Sequence, residues 1–243
     1  MIKINKDKFV NHFLAPINKL AEQCSIVLDG QSGKATTTIS DINKVMFLHC
    51  ETNIEYAGNP CKLNIGNVSK LQKAIQCIDE DEAEFALNHN NIQYSSPAIK
   101  FVYHLLEDNI ISQQSINVSQ LQGLEIDTSF NIPKSALDTV LRNSAFTSDS
   151  NKLYIYTKDD AVRCELNDKT MPNLDSIDMK ICDSYSGESI KTPIPLRLDW
   201  IRCFISSGFD AINVTINDEK KIIIFNIKTS DTSLKYIVSG LTK

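Results

Sequence analysis

The chain reads as an α+β protein of two similar domains, each made of two units with the order strand, helix, strand, strand, strand. Three observations lead there. Hydrophobic period switches from 2 to 3.6 and back to 2 at four places along the 243 residues. Every helical stretch is followed by strand-like runs parted by compact turn sequences. Residues 107–122, EDNIISQQSINVSQLQ, are polar with isolated Ile and Val and keep neither period. Such a stretch fits an exposed connector between domains 1–106 and 123–243.

The third unit shows the plan most clearly. Phe130, Asn131 and Ile132 alternate as a half-buried strand does, and Pro133 suits the first turn of a helix, where a missing N–H costs nothing. Leu137, Val140, Leu141 and Ser144 then fall at i, i+3, i+4 and i+7, a stripe for the core. Lys134, Asp138 and Arg142 share a different, polar face. Strands follow at 153–156 and 161–164 around a Lys158, Asp159, Asp160 turn, and 176–182 closes the unit.

In the first unit Ile2, Lys3 and Ile4 open as a short strand, and Phe9, Phe13, Ile17, Leu20 and Cys24 line one side of a helix that Pro16 should kink or interrupt. Lys8, His12, Ala15 and Lys19 line up on a second, basic side. Strands are expected at 25–28, 35–39 and 45–50.

The second unit opens with the strand 61–65. Its helix turns Val68, Leu71, Ile75 and Ile78 inward and carries Lys70, Lys73 and Cys77 on another side; strands follow near 84–87, 92–94 and 99–106. The fourth unit opens at 191–196, with Pro193 and Pro195 favouring a sheet edge. Leu198, Ile201 and Ile205 give a short helix stripe with Asp199, Arg202 and Ser206 elsewhere, and strands at 211–216, 221–227 and 234–238 end the chain.

Composition sets outer bounds. A hydrophobic content of 42% can bury a sizeable core, and a net charge of −5 argues against a nucleic-acid binder that is basic all over, though not against one with segregated charge. Seven cysteines without a CxxC pair suit reduced thiols in a cytoplasmic protein rather than a disulfide framework or zinc site. No targeting segment opens the sequence, and apolar runs such as 222–225 are too short to span a bilayer. A soluble protein without membrane association is expected, cytoplasmic, or in the host cytoplasm if viral.

Signatures of catalysis fail one by one. Residues 30–36, GQSGKAT, lack the Gly at Leu28 and the Ser or Thr at Ala35 that a phosphate loop requires, so a glycine hairpin is the better reading. Asp79, Glu80, Asp81, Glu82 and Glu84 lack the alternating ligands and turn glycine of a calcium loop. His12, His49, His89 and His104 show no metal-ligand pairing, and no serine elbow or cysteine signature is present. The expectation is a non-enzyme with no cofactor and no metal.

The four repeats, the connector and the line Ser207, Gly208, Phe209, Asp210 before a strand hairpin resemble a DNA polymerase sliding clamp, the family that includes proliferating cell nuclear antigen. The two-domain length and acidic balance are most similar to clamps of T4-type bacteriophages. The resemblance implies a homotrimeric ring with sheets outside and helices lining a hole for duplex DNA, loaded by a clamp loader ATPase and tethering DNA polymerase. Phosphates would be met without base readout, since a sliding protein cannot favour one sequence.

Residues matching the inward helix positions are Lys8, His12, Lys19, Lys70, Lys73, Lys134, Arg142, Arg197 and Arg202, although each alone also suits a solvated helix face. The family's subunit pairing falls on 99–106 and 176–182, with Phe101, Tyr103, Leu105, Ile177, Met179 and Ile181. An ordinary covered edge strand explains these runs as well. Its partner-peptide pocket falls on Ile110, Ile111, Ile116, Val118, Ile237 and Leu241, for which packing against the domains is the other explanation. The alternative function is a non-enzymatic adaptor that presents peptide grooves without encircling DNA.

Overall fold

The computed structural model of the chain describes residues 1–111, 124–147, 151–169, 175–205 and 209–239. The expected order is present four times. The first repeat holds β1 (Ile2–Asn5), a π-helical stretch (Lys8–Leu14) running into α1 (Ala15–Leu20), β2 (Cys24–Asp29), β3 (Lys34–Ser40) and β4 (Met46–Asn53), with a two-residue strand β5 (Glu55–Tyr56) after it. The second holds β6 (Cys61–Ile65), α2 (Val68–Gln76), β7 (Glu82–Asn88), β8 (Asn91–Ser95) and β9 (Lys100–His104).

In the third repeat β10 (Thr128–Pro133), α3 (Lys134–Asn143), β11 (Lys152–Lys158), β12 (Ala161–Leu166) and β13 (Ile177–Cys182) precede the two-residue β14 (Ser186–Gly187). The fourth holds β15 (Ile194–Arg197), α4 (Leu198–Ile205), β16 (Ala211–Asn217), β17 (Ile222–Lys228) and β18 (Thr232–Ser239). The chain divides into two compact units, Met1–Ile116 with Lys228–Leu234, and Asn117–Ile227 with Lys235–Lys243.

In the first unit the repeats exchange their opening strands. β1 pairs antiparallel with β7, Ile2 opposite Phe85, and β6 pairs antiparallel with β2, Ile65 opposite Cys24. The strand orders that result are β5-β1-β7-β8-β9 and β4-β3-β2-β6. Alternation along these strands turns Ile2, Ile4, Ile26, Leu28, Leu63, Ile65 and Phe85 to one side, where they are buried under the helices. Phe9, Phe13 and Ile17 meet them from the first helix and Leu71 and Ile75 from α2; the Phe9 and Phe13 rings lie 5.1 Å apart. Asn18 Nδ2 donates to Gln72 Oε1 at 3.4 Å, linking the two helices directly.

One detail of the first helix differs from expectation, and the interruption expected at Pro16 is present. Cys24 lies four residues after Leu20, yet the helix stops at Leu20: Ala21 turns extended, with φ −144° and ψ 138°, and Cys24 enters β2 as a buried partner of Ile65. Pro16 interrupts the helix as a change of winding, since the α-helical part begins at Ala15 and the turns before it are π-helical.

The glycine hairpin at 30–33 is as read. Asp29 Oδ1 accepts the Gln31 N–H at 2.9 Å and Oδ2 the Ser32 hydroxyl at 2.7 Å, and these bonds hold its carboxyl below the usual range. Gly33 has φ +64°, and a Cβ on Gly30 would stand 2.2 Å from the Gly58 carbonyl oxygen.

The second unit repeats the exchange, β10 pairing with β16 and β15 with β11. Its strand orders are β14-β10-β16-β17 and β13-β12-β11-β15. β15 is an edge strand, as Pro195 within it predicts, although it begins at Ile194 rather than at 191 and leaves Pro193 outside. Pro133 is the last residue of β10, with φ −68° and ψ 147°, rather than the first of the helix. Phe204 of α4 centres the core, its ring 4.5 Å from Phe225 and 4.6 Å from Tyr236.

Candidate nucleic-acid interface

Charge is strongly segregated onto the helices. The described helical segments carry seven Lys and Arg and two Asp, a net of +5, in a chain whose net charge is −5. Those of the first unit hold Lys8, Lys19, Lys70 and Lys73 and no acidic residue. On each helix the apolar positions at helical spacing take the sheet side, which leaves the charged residues on the open side.

On α2, Val68, Leu71 and Ile75 are buried, and Lys70 and Lys73 are exposed with no ion pair to a described residue. Asn67 starts this helix by accepting the Lys70 N–H on its side chain at 2.7 Å. On the first helix Lys19 is exposed and His12 half-buried. Lys8 forms an ion pair with Asp231, whose carboxyl is held low by the Lys8 ammonium and then by the Ser230 hydroxyl.

In the second unit Lys134 Nζ lies 3.2 Å from Asp138 Oδ2 on the next turn of α3. Arg142 is exposed and donates to the Thr139 hydroxyl at 3.2 Å. Arg197 closes β15 rather than lying on a helix, and it and Arg202 approach one carboxylate, Asp199, at 3.6 and 2.6 Å. The Asn151 amide donates to Asp199 at 2.6 Å; that bond, with the Arg202 guanidinium, outweighs partial burial and holds the Asp199 carboxyl low.

All nine cationic positions are thus partly or fully exposed, and among the described residues Lys8, Lys134, Arg197 and Arg202 lie against a carboxylate. Asp138 and Asp199 are legible from helical spacing as neighbours of Lys134 and Arg202. Asp231, more than 200 residues from Lys8, carries no such signal.

The two runs assigned to subunit pairing are both edge strands. β9 ends the five-stranded order of the first unit and β13 the four-stranded order of the second. Tyr103 of β9 is buried in its own unit, and Phe101 stacks on Tyr94 with ring centroids 5.7 Å apart. Leu105 lies just past the strand, half-buried. Lys100, Val102 and His104 face the open side, Val102 with 43% exposure. On β13, Ile181 is buried and Ile177 and Met179 are half-buried.

Of the pocket residues, Ile110 is 57% exposed, Ile111 is half-buried, and Ile237 is a buried residue of β18. Ile116, Val118 and Leu241 lie outside the described residues. Among the described residues no three His, Cys, Asp or Glu gather into a metal site, and no helix is long and apolar enough to cross a membrane.

No protein-family model and no curated protein matches the sequence. Solved structures do match. The PCNA of A. fulgidus, determined with the C-terminal region of FEN-1 bound, is 10% identical with a TM-score of 0.80, over 100% of this chain and 99% of that one. The proliferating cellular nuclear antigen of Entamoeba histolytica is 13% identical with a TM-score of 0.78, over 99% and 98%. The DNA polymerase III beta chain of Streptococcus pneumoniae is 14% identical with a TM-score of 0.77; the alignment takes in 99% of this chain and 64% of the longer beta chain. Over its whole length, this chain has the fold of the sliding clamps.

Proposed function

We propose that this protein is a processivity factor of DNA replication, a ring-shaped sliding clamp that encircles duplex DNA and tethers a DNA polymerase. The observation that carries the reading is the +5 charge of the described helices in a −5 chain, on a clamp fold. A threaded ring is retained by topology, so its lining has only to attract phosphates weakly, and the outside can remain acidic.

Three copies would close the ring by pairing β9 of one with β13 of the next, which satisfies two open strand edges at once. Domains 1–106 and 123–243 would be joined by the connector 107–122, beside which partner peptides dock. A clamp loader ATPase would open the ring in the cytoplasm of a cell, or of the host if the source is a T4-type phage.

The test uses linear duplex DNA with biotin at both ends. Protein is mixed with the DNA, streptavidin is added to block the ends, and the complex is washed at high salt. A threaded ring survives the wash only when the ends are blocked. Equal loss with open and blocked ends, at protein concentrations where a trimer of about 82 kDa, three times 27.3 kDa, is present, overturns the proposal.

A further inference from the structure

The counter-ions of these cations follow a pattern that stability does not explain. Lys8 is paired with Asp231, Lys134 with Asp138, and Arg197 and Arg202 both with Asp199. Each pair is substantially exposed, and exposed pairs contribute little to folding. Their electrostatic effect is larger than their energetic one. Each carboxylate cancels a positive charge where DNA would lie, and two of the three are held in place by a further group.

Asp199 is fixed by Asn151 as well as by the two arginines, and Asp231 accepts from the Ser230 hydroxyl at 2.5 Å as well as from Lys8. The three carboxylates come from three different places in the fold: the turn before β18, the second turn of α3 and the first turn of α4. By contrast Lys70, Lys73 and Arg142 have no carboxylate partner among the described residues.

We infer that Asp138, Asp199 and Asp231 are built-in counter-ions that set the strength of DNA contact. They occupy Lys8, Lys134, Arg197 and Arg202, leaving Lys70, Lys73 and Arg142 to attract the phosphates. This rests on the reading that the helix faces meet DNA. A phosphate can reach an occupied cation only by displacing a carboxylate, so it gains little there, and the grip stays loose enough for movement along the duplex. Removing the carboxylates takes the competing anion away from four cations. Each additional phosphate contact steepens the dependence of log K on log salt by roughly 0.9.

The experiment titrates the full chain against a fluorescent linear duplex across a salt series, comparing wild type, the triple variant D138N/D199N/D231N, D138N alone and K70Q/K73Q. Thermal melts check folding, and D138N, which alters only an exposed pair on one helix, covers the case in which the triple variant fails to fold. The triple variant is expected to bind on the order of tenfold more tightly at low salt, with a steeper salt slope, and D138N to move part of the way.

If K70Q/K73Q weakens binding while the folded Asp variants equal wild type, the helices do meet DNA and the counter-ion role is overturned. If K70Q/K73Q leaves binding unchanged, the helix-face reading falls, and the counter-ion role falls with it.

Discussion

The Tyr103 hydroxyl accepts the Asn67 N–H and donates to the Asn67 carbonyl, both at 2.9 Å, so that edge strand β9 is tied to the residue that starts α2. The helix bearing Lys70 and Lys73 is thereby positioned by the strand assigned to subunit pairing. Tyr103→Phe keeps the ring but strands a backbone donor and acceptor, with an expected loss of about 1–3 kcal/mol in denaturant unfolding. A variant as stable as wild type would show that solvent replaces both bonds.

The same tyrosine carries a pH dependence. Burial pushes its hydroxyl pKa up, outweighing the bond from the Asn67 backbone. A raised value favours the neutral form in the fold, so the stabilisation is complete below the unfolded pKa of about 10 and is lost as pH rises through the folded value. Wild type should lose stability faster than Tyr103→Phe above pH about 10. Parallel curves in alkaline thermal melts would remove Tyr103 as the cause.

At the acid end Asp231 is the informative group. Its carboxyl is held low chiefly by Lys8, so this contribution is present above the unfolded value of about 3.9 and is lost as pH falls through the lower folded value. Lys8→Met should raise the Asp231 pKa, read by carbon-13 NMR of the carboxyl. An unmoved titration would assign the shift to the Ser230 hydroxyl instead.

The core of the first unit contains a void of about 30 Å³ lined by Ile2, Phe9, Ile26, Ile65, Leu71 and Phe85 among others, at the meeting of both repeats. Ile65 is fully buried on that wall. Ile65→Ala should enlarge the void and cost about 2–5 kcal/mol, since the surrounding sheet and helices can collapse only in part. A chemical denaturation curve shifted by less than 1 kcal/mol would mean that the wall closes over the deletion.

The periodic part of the fold was legible and the non-local part was not. Residues 61–65 form β6 at the predicted bounds, and Val68, Leu71 and Ile75 face inward as their spacing requires, because one buried face dictates each pattern. Cys24 was misplaced because a four-residue interval from Leu20 fits a helix as well as a fresh strand, and only pairing with Ile65 decides between them. β5 and β14 are two residues each, too short to hold any period.

Of the candidate interface, the lysines and arginines could be read from helix faces. What neutralises them could be read only within a helix: Asp138 from Lys134, but not Asp231 from Lys8. Contacts across the fold leave no interval in the sequence.

Val102 offers a direct test of assembly through β9. It lies on the open side of that edge strand between Lys100 and His104, opposite Gln93 of β8, and its 43% exposure leaves room for a polar replacement. Val102→Asp therefore should change the stability of the isolated chain by no more than about 0.5 kcal/mol. If β9 and β13 join neighbouring copies, a carboxylate introduced beside the seam loses water on assembly and gains no designed partner, which weakens each of the three contacts in a ring. Sedimentation across a concentration series should then show wild type reaching a trimer and Val102→Asp remaining monomeric at tenfold higher concentration. A folded variant that assembles like wild type would move the subunit contact away from β9.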